Sequence, residues 1–178
     1  MKHHMQQQGG FTLIEIVITI VLISAMMAGM SALFVENVGN SHRPYLRQKS
    51  LAVANAFMEE IQHKRWNENT PIGGGCINTG ASCGASLFTP AGIGTDGGES
   101  RTDYDDVDDY NAINNQSPPE DSSGTAMPGF DGFTVTVAVT QPSAAWNGIA
   151  AADVREIVVS VTSPTNETIS LTSYRVNY

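Results

Sequence analysis

Residues 9–35 read GGFTLIEIVITIVLISAMMAGMSALFV, an almost purely apolar run carrying one acid, Glu15. An ionisable group inside a membrane-length apolar segment is costly and by default has a functional role. A lone charge in apolar surroundings is expensive, and a paired one much less so, so Glu15 calls for a cationic partner. Two further groups could do chemistry. Cys76 and Cys83 bracket a small polar loop, CINTGASC. Their spacing does not match a thioredoxin-type Cys-x-x-Cys, and without a nearby histidine the pair makes a poor zinc site. In an exported domain it reads as a disulfide, contributing about 2–3 kcal/mol on the chain-entropy estimate. Asp103, Asp105, Asp106, Asp108 and Asp109 crowd one short stretch flanked by Tyr104 and Tyr110. Closely spaced Asp side chains with loop carbonyls can supply the six to eight oxygens that calcium prefers, although the spacing is not that of an EF-hand. The bland alternative is a solvated acidic surface, or one that meets bases on a neighbouring subunit. No other cofactor is expected. The four histidines form no catalytic constellation, and no nucleophile elbow, His-Glu-x-x-His pair or phosphate loop is present, so the chain does not read as an enzyme.

The elements that must position these residues follow from pattern. A secretory signal places its apolar region before the cut. Here Lys2 and a polar leader, residues 1–10, precede the apolar run. Leu13 to Val35 is long enough to span a bilayer as one helix. Lys2 on the cytoplasmic side satisfies the positive-inside rule and leaves the remainder facing the periplasm. Residues 11–35 form the apolar helix, and 36–66 continue it as an amphipathic one, with a kink expected around 39–44 from Gly39 and Pro44. Leu46, Leu51, Ala54, Met58 and Ile61, with Phe57 beside them, make its buried stripe. Residues 67–131 are rich in Gly, Pro, Asn, Ser and Asp and show no period, which predicts a loop region. Residues 132–178 carry strand patterns. Phe133, Val135, Val137 and Val139 alternate with polar residues, as do Ile157, Val159 and Val161. After the turn at Ser163–Asn166, Ile169 and Leu171 alternate, then the apolar parity switches near Ser173. That switch requires a bulge or cover on both faces. One amphipathic helix on three antiparallel strands is an α+β domain. The formal charge of −9, with acids gathered at 96–121, argues against nucleic acid as a partner.

The order Gly-Phe-Thr-Leu-Ile-Glu at residues 10–15 resembles the processing signal of type IV pilins and of the pseudopilins of secretion and DNA-uptake systems. The resemblance implies cleavage between Gly10 and Phe11 by a prepilin peptidase that also N-methylates Phe11. Glu15 then lies one helical turn from the new amine and pairs with the terminal amine of a neighbouring subunit during assembly. It implies a fold in which one long helix, half transmembrane and half amphipathic, packs on a small antiparallel sheet. It also implies partnership with other pilins and an inner-membrane assembly platform. The stretch AVANAFMEEIQHKRWNENTPIGGGC, the second cysteine, DDVDDY and the Gly-Phe before the first strand are similar to minor pilins of mannose-sensitive haemagglutinin (MSHA) pili. That branch implies a low-abundance subunit serving pilus assembly and surface adhesion, held in the inner membrane before joining the cell-surface filament. The close, early cysteine pair differs from the larger C-terminal loop of a major pilin. A pseudopilin of type II secretion and a membrane-anchored periplasmic binding domain are the alternatives.

Overall fold

The computed structural model describes residues 10, 12–40 and 43–178. The chain divides into two units, one ending at Pro44 and one spanning Tyr45–Tyr178. The first contains helix α1, Leu13–Asn40. Helix α2, Arg43–Gln62, opens at the unit boundary. Ser41 and His42, at the centre of the expected kink, lie outside the described residues. Gly39 is still inside α1, whereas Pro44 falls in the first turn of α2, where its missing N–H costs nothing.

Helix α2 ends earlier than its composition suggests. The Arg65 backbone donates to the carbonyl of Asp105 (3.2 Å) and accepts from the N–H of Val107 (3.0 Å), so a loop strand takes the groups that another helical turn would use. The chain is capped there from the sheet: the Arg175 guanidinium donates to the carbonyl of Gln62, the last residue of α2, and to that of Lys64 just beyond it. The buried face follows the expected stripe at Ala54, Phe57 and Ile61, with Leu46 and Met58 partly buried against the core, and departs from it at Leu51. Ser50, Val53, Ala54, Phe57 and Ile61 are buried. Leu51 is 41 % exposed because it sits about 100° round the helix from Ser50.

Three strands, β1 (Thr134–Thr140), β2 (Val154–Thr162) and β3 (Thr168–Val176), form an antiparallel meander in the order β1-β2-β3. Val135, Val137 and Val139 stand opposite Val161, Val159 and Ile157, and all six are buried against the α2 side. The parity switch in β3 involves no bulge: the pairing with β2 runs unbroken from Val154↔Val176 to Thr162↔Thr168. Both faces are covered instead. Ile169 and Leu171 share the core side of the sheet with Val161 and Val159. On the other side Tyr174 stacks on Trp146, ring centroids 4.7 Å apart, and donates to Glu156 (3.1 Å).

The region 67–131 is largely without regular structure. Among the described residues its only regular element is the short 3-10 helix Asp108–Ala112. Yet Ile77, Tyr104, Val107, Tyr110 and Ile113 are buried, and the last four join Phe57, Ile61 and the sheet valines in one core cluster. The segment also shields the free edge of β1. Val137 donates to the Ile113 carbonyl (2.9 Å), Val139 to the Asn111 side chain (3.0 Å), and Gln116 exchanges both backbone bonds with Val135 (2.9 Å each).

Candidate functional site

The N-terminal site begins at Gly10, which is exposed and meets nothing where a Cβ would stand. Phe11, the residue expected to be N-methylated, lies outside the described residues, as do residues 1–9 of the expected leader. Glu15 is exposed in the first turn of α1, where the positive end of the helix dipole favours an acid. From Leu13 to Ser31 every side chain is exposed, Leu13 by 82 %. This span is long and apolar enough to cross a membrane. Its few hydroxyls are satisfied within the helix: Thr19 donates to the Glu15 carbonyl (2.8 Å), Ser24 to that of Ile20 (2.7 Å) and Ser31 to that of Met27 (2.8 Å). A helix apolar all round, with its hydroxyls paired internally, suits a medium without water.

Cys76 and Cys83 are joined in a disulfide, with Cα atoms 5.9 Å apart. The loop between them is docked on the sheet through Asp153, at the entry to β2. Asp153 Oδ1 accepts from Thr79 (2.5 Å), Ser82 (2.7 Å) and Asn177 (3.0 Å). Burial pushes the Asp153 carboxyl up, but these three bonds outweigh it and hold it below the usual range. Asn177 closes the assembly by bonding both backbone groups of Ile77 (2.8 and 2.7 Å).

The acidic run is not a solvated surface. Asp106, Asp108 and Asp109 are buried with Val107 and Tyr110, whereas Asp103 and Asp105 are exposed. The five aspartates do not converge. Asp103 turns back to cap its own turn, accepting from the Ser100 hydroxyl (2.6 Å) and N–H (3.2 Å). Asp108 points the other way, into a buried ion pair with Arg155 (2.7 and 3.2 Å) and a bond from Asn67 (2.7 Å). Arg155 in turn lies 4.3 Å from the centroid of the Trp66 ring. A second charged group anchors the same segment on α2. Arg101 donates through both terminal nitrogens to Glu60 (2.7 Å each), and the Tyr110 hydroxyl donates to Glu60 Oε1 (2.6 Å).

The other three do come together: carboxylate oxygens of Asp105, Asp106 and Asp109 lie within 4.8 Å of one another. Glu68, Asp96 and Glu99 join them in overlapping groups of the same dimension, Glu68 with Asp96 and Asp106, and Glu68 with Glu99 and Asp105. Asp96 and Glu99 were visible only as part of a general acidic stretch, and Glu68 gave no sequence signal. Burial, with the neighbouring Asp109 and Asp108 charges, pushes the Asp106 carboxyl up to about 7. Burial and the facing Asp109 carboxylate likewise raise Glu99. Arg65 meets this cluster from one side, pairing with Glu68 (3.0 Å) and with Asp105.

Residues 5–31 match the family described as the prokaryotic N-terminal methylation motif. No curated protein and no solved structure matches the chain. The motif at the head of an exposed apolar helix, followed by a second helix and a three-stranded antiparallel sheet, gives this chain the α+β arrangement of a type IV pilin-like or pseudopilin-like protein.

Proposed function

We propose that the chain is a minor pilin of an MSHA-type type IV pilus, of the MshD kind, contributing to pilus assembly and surface adhesion. A prepilin peptidase cuts after Gly10 and methylates the Phe11 amine. The mature subunit waits in the inner membrane, held by α1, with its second unit in the periplasm. An inner-membrane assembly platform then passes it into the filament beside other pilins. There α1 exchanges lipid for neighbouring helices, and Glu15 pairs with the terminal amine of an adjacent subunit.

The observation that carries this reading is the methylation motif leading into an apolar helix whose side chains from Leu13 to Ser31 have no cover of their own. The MSHA branch is supported by the stretch from Ala52 to Cys76 and by a short, early disulfide in place of a large C-terminal loop. The test is mass spectrometry of the protein isolated from sheared filaments. A methylated N-terminus at Phe11, recovered together with a major pilin, is the expected result. An uncut chain would mean a membrane-anchored binding domain. A cut chain recovered with secretion-system pseudopilins, and absent from pili, would replace the pilus with a secretion pseudopilus.

A further inference from the structure

We propose that Asp105, Asp106 and Asp109, with Glu68, Asp96 and Glu99 around them, form a calcium site beneath the C-terminal end of α2. Asp109 points to a ligand most directly. It is 1 % exposed, and its Oδ2 is committed to the N–H groups of Asp105 and Asp106 (3.0 and 3.1 Å). Its Oδ1 is buried with no hydrogen-bond partner among the described residues. An unpaired buried carboxylate oxygen carries a full desolvation cost. The Asp109 carboxyl faces Glu99, another acid, and among the described residues no cation pairs with it: Arg65 is occupied by Glu68 and Asp105.

The dimensions fit the ion. Calcium holds oxygens at about 2.3–2.6 Å, so two ligands of one ion stand at most about 5.2 Å apart. Each carboxylate group here spans no more than 4.8 Å. Ligand type selects a hard cation, since the groups contain neither histidine nor cysteine. Three carboxylates to a group, completed by waters, suit the six-to-eight-oxygen shell of calcium, which tolerates irregular geometry, better than the strict octahedron of magnesium. Buried Asp106 and Asp109 form the floor, and exposed Asp105 with half-buried Glu68, Asp96 and Glu99 form a rim through which an ion and its waters can enter. The backbone is preset as well: Asp106 Oδ1 accepts the N–H groups of Asp108 and Asp109 (2.7 and 3.1 Å), fixing the turn that presents the ligands. The ion would tie the chain segment around Glu68 to the 96–99 and 105–109 segments and so brace a region with little regular structure.

The test is calcium titration of the full chain in detergent micelles, by calorimetry and by thermal unfolding, with magnesium as the control. One calcium per chain and a higher melting temperature are expected, with a dissociation constant of about 10⁻⁵ to 10⁻³ M. Asp109→Asn keeps an oxygen for the two N–H groups and should weaken binding by about tenfold or more, as should Glu99→Gln on the rim. Asp103→Asn, outside the cluster, should bind as the parent does. The site is overturned if millimolar calcium gives neither heat nor a thermal shift. It is also overturned if Asp109→Asn and Glu99→Gln both bind normally, or if Asp103→Asn weakens binding as much as they do. None of these outcomes depends on whether the chain enters a pilus.

Discussion

Asp103 and Asp108 lie in the same acidic run but should behave very differently when replaced. Asp108 is 1 % exposed and Arg155 4 %. Three donor atoms, two on Arg155 and one on Asn67, point at the two Asp108 oxygens. Asp108→Ala removes every one of these acceptors and leaves a buried guanidinium whose remaining contact among the described residues is the Trp66 ring, one the parent already has. Stranding one half of a buried pair costs about 3–5 kcal/mol. For a chain of this size, each kcal/mol is worth about 2–4 °C, so the melting temperature should fall by roughly 10 °C. Asp103→Ala breaks only exposed bonds to Ser100 and should stay within about 0.5 kcal/mol of the parent. Replacing both charges, as Asp108→Leu with Arg155→Met, removes the stranded guanidinium and should cost less than Asp108→Ala alone. The assay is thermal and urea unfolding of the full chain in micelles, followed by circular dichroism, over the parent and three variants. The reasoning fails if Asp108→Ala is no worse than Asp103→Ala, or if the double variant is less stable than Asp108→Ala.

Two other perturbations test the acids on the helices. Burial raises the Glu60 carboxyl, but bonds from Arg101 and Tyr110 and the Arg101 charge outweigh it and leave it below its ordinary 4.5. A depressed carboxyl contributes stability above the unfolded value and loses it as pH falls through the folded one. Glu60→Gln should therefore be less stable than the parent at about pH 7, with the gap shrinking by about pH 3; a gap independent of pH would contradict this. Glu15→Ala should insert and be cut normally, since removing an acid makes the helix easier to keep in lipid, yet it should be depleted from sheared filaments relative to the membrane pool. Equal recovery in both fractions would show that Glu15 has no part in assembly.

The strands were readable because each satisfies a local rule: inward valines at every second position leave little choice of face, and Ser163–Asn166 marks the turn between β2 and β3. Helix α2 was readable as an amphipathic element with most of its buried face, but the place of Leu51 and the end of the helix were not. Ser50 is buried in place of Leu51, and Arg65 leaves the helix to pair with residues 105–107. These outcomes depend on partners far along the chain, which local periodicity does not encode.

By itself the sequence determined the methylation motif, the apolar span Leu13–Ser31 with its single acid, and the class of fold. All three depend on the order of neighbouring residues: a polar stretch, a glycine, and a run long enough to span a bilayer. Only the tertiary structure decided what the acids do. Composition is alike for Asp103, Asp108 and Asp109, yet one caps an exposed turn, one neutralises Arg155 and one holds an oxygen without a partner among the described residues, beside other carboxylates. The difference comes from burial and from which side chain folds opposite each oxygen, and those partners lie as far away as Glu68 and Arg155. The energy of a carboxylate is set by its surroundings, and only the folded chain supplies them.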